Sequence, residues 1–148
     1  MTTLQPISPG LPLVQSPAIL HLPLGLLGLE HLKRYVLLSE KEEAPFSWLQ
    51  VLDEPNLAFL ILCPFEVMPD YRPLFSAEDL DFLELTAPEQ AQVYGIVTLR
   101  AAGCATINLK GPLAFNGQTL RGKQVILTNA SEYSLQHPLP LANPVETL

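Results

Sequence analysis

Residues 105–139 read ATINLKGPLAFNGQTLRGKQVILTNASEYSLQHPL, from Ala105 to Leu139. Short apolar runs alternate here with turn dipeptides, which is the signature of closely spaced β-strands and not of a helix. Ala105–Leu109, Leu113–Asn116 and Lys123–Thr128 are the strand candidates. Asn116-Gly117 and Arg121-Gly122 mark corners between them, because both glycines can take positive φ. The bases of Arg121-Gly122-Lys123 are expected to stay solvated at such a corner. Two basic residues are too few to make a nucleic-acid footprint.

Upstream of this stretch the pattern continues. Strands are expected at Leu11–Val14, Ala18–Leu22, Arg34–Ser39, Phe46–Leu52, Ala58–Cys63 and Val93–Leu99. Pro23–Gly28 reads as a bend, Glu30–Lys33 as one helical turn and Lys41–Pro45 as a charged turn. Asp53-Glu54-Pro55-Asn56 has turn composition, because Asp suits the first position and Pro presets its own φ. It would join Phe46–Leu52 and Leu57–Cys63 into a hairpin. One helix is expected, around Ser76–Leu85. The Ser76 hydroxyl can cap the amide of Asp79, Glu78 and Asp79 suit the positive helix start, and Leu80 and Leu83 form the buried stripe. The fold class is therefore all-β: a small, mainly antiparallel β-barrel-like domain with one short helix. It is expected to occupy 1–148 as a single domain, with poorly ordered ends at about 1–9 and 140–148.

At 148 residues and 48% hydrophobic content the chain can bury a core. Its charge of −7 is uneven. Residues 1–89 hold 13 acids and 4 bases, whereas residues 90–148 hold 2 acids and 4 bases. An acidic N-terminal part repels phosphate and suits a basic protein partner. The apolar stretch Leu11–Leu29 is broken by Pro12, Pro17 and Pro23 and holds Gln15 and His21, so it is not read as a membrane span. No base precedes Lys33, so the charged start of a signal peptide is missing. A cytoplasmic location is expected. Cys63 and Cys104 adjoin apolar runs and are expected to be reduced, buried thiols.

No catalytic apparatus is legible. His21, His31 and His137 are not at metal-ligand spacing from one another, and no nucleophile elbow, Walker loop or dinucleotide fingerprint occurs. The carboxylate pairs Glu42/Glu43, Asp53/Glu54 and Asp79/Asp81 fit turn and helix-start chemistry. No cofactor, metal or catalytic residue is expected. Trp48 is expected to fill the core or a sheet face, with an interface anchor as the alternative. The candidate partner-binding residues, chosen for exposure and charge, are Asp53 and Glu54 at one turn and Glu66, Asp70 and Tyr71 in the Phe65–Pro73 loop.

The order of several segments resembles the flagellar assembly factor FliW family over Ile19–Leu139. These are ILHLPLGLLGLEHLKRYVLL (Ile19–Leu38), FSWLQVLDEPNLAFLILCPF (Phe46–Phe65), PDY (Pro69–Tyr71), IVTL (Ile96–Leu99), NLKGPLAFN (Asn108–Asn116), RGKQVIL (Arg121–Leu127) and YSLQHPL (Tyr133–Leu139). Leu27, Leu29 and Cys63 depart from the residues common at those places in the family (Pro, Phe and Asp), and Arg100–Gly103 replaces its acidic, proline-containing turn. The resemblance implies a non-enzymatic, β-barrel-like protein. It also implies two partners: flagellin, bound in the cytoplasm, and the translational regulator CsrA, whose repression of flagellin mRNA is thereby relieved. The competing expectation is a barrel that binds a sugar or other small molecule, or a minor hydrolase, and that reading requires a deep pocket with convergent polar groups.

Overall fold

Strand pairing and burial are described by the computed structural model for residues 18–100 and 103–139. The expected strand at Leu11–Val14 and the tails at 1–9 and 140–148 lie outside the described residues. Among the described residues nine strands form one sheet: β1 Ile19–His21, β2 Arg34–Leu38, β3 Phe46–Val51, β4 Ala58–Leu62, β5 Ala91–Leu99, β6 Ala105–Ile107, β7 Leu113–Asn116, β8 Gly122–Gln124 and β9 His137–Leu139. Every ladder is antiparallel. The sheet curls without closing as a continuous barrel. A single parallel bridge, His21 to Arg121, joins the end of β1 to the start of β8, with the His21 amide donating to the Leu120 carbonyl at 2.9 Å.

β5 decides the topology. Its first half, Ala91–Tyr94, pairs with β7, and its last three residues, Val97–Leu99, pair with β6. Between them Gly95 and Ile96 pair with β4 on the other edge. Gly95 stands at the point where β5 changes partners. A Cβ there would lie 2.6 Å from the Ile107 side chain, so the residue is needed for close packing. One strand thereby serves two cores. Tyr35, Leu49, Val51, Ile61, Leu113 and Phe115 fill the space enclosed by β1–β4 and β7. Leu83, Val93, Val97, Ile107, Leu109, Val125 and Leu127 fill the other. Trp48 is half-buried on the sheet, opposite Leu60 and Leu38.

The C-terminal third differs from the sequence reading at three places. Lys123–Thr128 is not a strand throughout: only Gly122–Gln124 pairs, after which the Val125 amide turns to the Pro112 carbonyl and the Thr128 amide to that of Leu74. Gly117 and Gly122 do not take positive φ; Leu120 does, at 63°. Gly122 is required for another reason, since a Cβ there would sit 2.2 Å from the Phe115 ring. The third difference is β9, which is not among the expected strands. Pro138 faces Thr106 across the ladder, where it has no N–H to give, so the pairs on either side carry the bonds.

The helix is shorter than expected. α1 spans Ala77–Phe82, and the Ser76 hydroxyl accepts the Asp79 amide at 3.0 Å. The region expected as a helical turn at Glu30–Lys33 is a hydrogen-bonded turn in which the Leu32 amide donates to the Leu29 carbonyl. The two cysteines also differ from expectation: Cys63 is half-buried and Cys104 exposed.

The bases of Arg121-Gly122-Lys123 are not solvated, as expected from sequence, but hold α1 against β8. The Lys123 ammonium pairs with the Asp79 carboxylate, whose side chain is 8% exposed. The Arg121 guanidinium lies 4.1 Å from the centre of the Phe82 ring, and its Nε donates to the Phe82 carbonyl at 2.8 Å. The helix is less than two turns long and could not persist without such docking.

Two predictions follow from the buried polar groups. Lys123→Met keeps the apolar stem but leaves Asp79 buried without its counter-ion; urea unfolding should show a loss of about 2 kcal/mol, between the costs of exposed and fully buried pairs. Asp79→Asn added to Lys123→Met should recover part of that loss, and an unchanged loss would mean that the pairing contributes nothing. The second prediction concerns alkaline pH. Burial pushes the Tyr35 hydroxyl up to about 12 from 10.0, and burial, then the neighbouring Tyr133, raises Tyr71 as well. The unfolded chain ionises first, so this stabilisation is complete below pH 10 and is lost as pH rises through the folded values. The Tyr35→Phe, Tyr71→Phe variant should lose less stability than the parent between pH 10 and 12. It should also be weaker at neutral pH by about 1 kcal/mol per lost hydroxyl bond.

Candidate functional site

The acidic candidates occupy two separate places. Asp53 and Glu54 form the β3–β4 turn, where the Leu57 amide donates to the Glu54 carbonyl at 2.9 Å. Glu66 and Asp70 follow the opposite end of β4. The five residues of β4 set the two places apart by about 17 Å of strand. The structure therefore does not bring the four carboxylates into one site.

The two places also differ in electrostatics. Asp53 is engaged: Arg34 on β2 donates to both carboxylate oxygens, Nη2 to Oδ1 at 2.5 Å and Nε to Oδ2 at 3.3 Å. This fork holds the Asp53 carboxyl below the usual carboxylate range. Both partners are about half exposed, so the pair is a surface clip that cancels charge at this turn. Glu54 beside it is exposed. At the other end, Glu66 and Asp70 are exposed and enter neither of the two ion pairs found among the described residues.

Tyr71 is the site residue that sequence misplaced. It is 3% exposed, not presented on the surface. Its hydroxyl donates to the Leu109 carbonyl at 2.7 Å, and its ring packs edge-on against Tyr133, with centroids 4.7 Å apart. An aromatic within an acidic, proline-rich loop looks solvent-facing until its partners, 38 and 62 residues later in the chain, are known. Tyr71 acts as the peg that seats the Phe65–Pro73 loop on the second core. The Tyr133 hydroxyl adds to this by accepting the Arg72 amide at 3.0 Å.

Sequence reasoning also passed over the β2–β3 turn. Phe46 pairs with Leu62, which places residues 39–45 beside the chain leaving β4. Glu40, Glu42 and Glu43 in that turn are all exposed. The same end of the sheet thus carries five exposed carboxylates, Glu40, Glu42, Glu43, Glu66 and Asp70, against the bases Lys41 and Arg72. The ladder register was the missing signal, since a charged turn reads alike wherever it sits.

An open depression of about 330 Å³ is lined by Glu84, Leu85, Gln90, Gln92, Asn116, Gly117 and Gln118. Asn116 is committed to structure: its amide donates to the Leu83 and Glu84 carbonyls, and its oxygen accepts the Gln118 and Thr119 amides. Among the described residues no group of three or more His, Cys, Asp or Glu is placed to hold a metal ion, and no helix is long and apolar enough to cross a membrane.

Comparison with known proteins agrees with this architecture. The sequence matches the FliW protein family over residues 8–139. It is 40% identical over 116 residues to the flagellar assembly factor FliW of Leptospira biflexa serovar Patoc, covering 76% of this chain and 75% of that one. It is 36% identical over 131 residues to the flagellar assembly factor FliW of Treponema denticola, covering 88% of each. Among solved structures, a crystal structure of the flagellar assembly factor FliW superposes with a TM-score of 0.71 at 31% identity, covering 82% of this chain and 83% of that one. The curled antiparallel sheet, the docked short helix and these matches across most of the chain together show that it belongs to the FliW family.

Proposed function

We propose that this chain is a non-enzymatic flagellar assembly factor that works in the cytoplasm. It binds flagellin there, and it binds the translational regulator CsrA, relieving CsrA's repression of flagellin mRNA translation. The observation that carries this reading is the family match over residues 8–139, together with relatives named as flagellar assembly factors. The exposed carboxylates beyond β4 add a physical reason for one partner. An RNA-binding regulator presents basic residues, and five carboxylates at one end of the sheet attract them and speed encounter. Glu66 and Asp70 are the proposed contacts. Asp53 and Glu54 are a weaker proposal, because Arg34 already neutralises Asp53. Tyr71 contributes by seating the loop.

The sugar-binding or hydrolase reading has less support. The space enclosed by β1–β4 and β7 is filled by side chains, six of which, from Tyr35 to Phe115, are at most 1% exposed. The depression lined by Glu84, Gln92 and Asn116 is open and is not a deep pocket with convergent polar groups.

The test is binding of the purified full chain to flagellin and to CsrA, separately and in competition. Glu66→Lys with Asp70→Lys should weaken CsrA binding by about tenfold and flatten its dependence on salt, with the melting temperature nearly unchanged. Reversal at Asp53 and Glu54 should do less. If only the Asp53 and Glu54 reversals weaken binding, the contact lies at the other end of β4. If the folded chain binds neither flagellin nor CsrA, the proposed function is wrong.

A further inference from the structure

Eight large hydrophobic side chains are exposed among the described residues, and Phe65 is the only aromatic one. It sits in a single 3-10 turn, Pro64–Glu66, directly after β4, and is 41% exposed. Its ring is not loose. It packs against Tyr71 with centroids 5.6 Å apart and planes at 59°. Tyr71 is in turn fixed by its bond to the Leu109 carbonyl and by the Tyr133 ring. The turn itself is closed by the Glu66 amide on the Cys63 carbonyl and the Val67 amide on the Pro64 carbonyl. An exposed aromatic ring is thus held in place by the buried Tyr71, itself packed on the half-buried Tyr133, so little side-chain entropy remains to be lost when something covers it.

The surroundings of the ring say what would cover it. Glu66 adjoins it in sequence, Asp70 adjoins the Tyr71 on which it rests, and Glu40, Glu42 and Glu43 lie at the same end of the sheet through the Phe46–Leu62 pair. An apolar partner would have to desolvate those carboxylates without replacing their water. A cationic side chain satisfies both features, and a guanidinium does so best. It lies flat on an aromatic face while its N–H groups reach carboxylates at the ring's edge. Arg121 on Phe82, at 4.1 Å, is the same contact made within this chain.

We infer that Phe65 is the anchor of a docking surface for an arginine side chain on a basic protein partner, with Glu66 and Asp70 as its charged rim. The inference rests on the proposed acidic contact site and adds the residue that makes it selective for arginine over lysine. An arginine-rich peptide should bind the full chain more tightly than a lysine-rich peptide of equal length and charge. Phe65→Ala should weaken the arginine-rich peptide by about tenfold and remove the preference. Phe65→Trp should keep both, and Phe65→Leu should not restore them. The melting temperature of each variant should stay near that of the parent, because the ring is well exposed.

Equal binding of the two peptides, or full binding by Phe65→Leu, would overturn the inference. Titration with CsrA separates it from the wider proposal. If CsrA binds the parent and Phe65→Ala alike and the peptides show no preference, the ring reading fails and the acidic contact stands. If CsrA does not bind but the peptide preference depends on Phe65, the ring reading stands and the CsrA proposal fails.

Discussion

The side chain of Asn116 holds the parts of this fold together. It is 6% exposed and makes four hydrogen bonds, two on each side of the carboxamide. Its NH2 reaches the Leu83 and Glu84 carbonyls at the end of α1, and its oxygen takes the amides of the β7–β8 turn. Both segments carry a non-glycine residue at positive φ, Glu84 at 61° and Leu120 at 63°. Such backbone is sparsely populated and persists where its surroundings over-determine it. Asn116 supplies that constraint, and Arg121 and Lys123 repeat the docking one turn away. The strand, the helix and the seam with β1 meet at this corner, because the Leu120 carbonyl accepts the His21 amide.

That arrangement explains which parts of the fold the sequence revealed. Alternating apolar runs located most strands to within two residues, because a half-buried strand imposes its period on its own residues. The helix cap at Ser76 was legible for the same reason, being local. What failed was long-range. Gly122 marks a corner in the sequence because glycine can take positive φ, but its requirement comes from the Phe115 ring across the ladder. β9 was not among the expected strands; it is three residues long and holds Pro138, which is tolerated there because its missing N–H faces no ladder bond. The end of β8 was overextended because Val125 and Leu127 look like strand residues while their backbone serves a loop.

The candidate site divides along the same line. Exposure of Glu66 and Asp70 followed from charge alone, since an unpaired carboxylate resists burial. Tyr71 did not follow, because a tyrosine is apolar in body and polar at its tip, and only the Leu109 carbonyl and the Tyr133 ring decide which end governs. The contribution of Glu40, Glu42 and Glu43 to the same acidic end required the β3–β4 register. The segment that is most distinctive in sequence, Asn108–Leu127, is therefore a structural corner, while the proposed interaction surface lies in the plainer acidic loops.

Hydrogen–deuterium exchange of the full chain, alone and saturated with CsrA, tests that division most directly. The account predicts slower exchange on binding for amides at 64–72 and in the 39–45 turn, with those at 117–124 unchanged. Protection confined to 117–124, with none at 64–72, would contradict it.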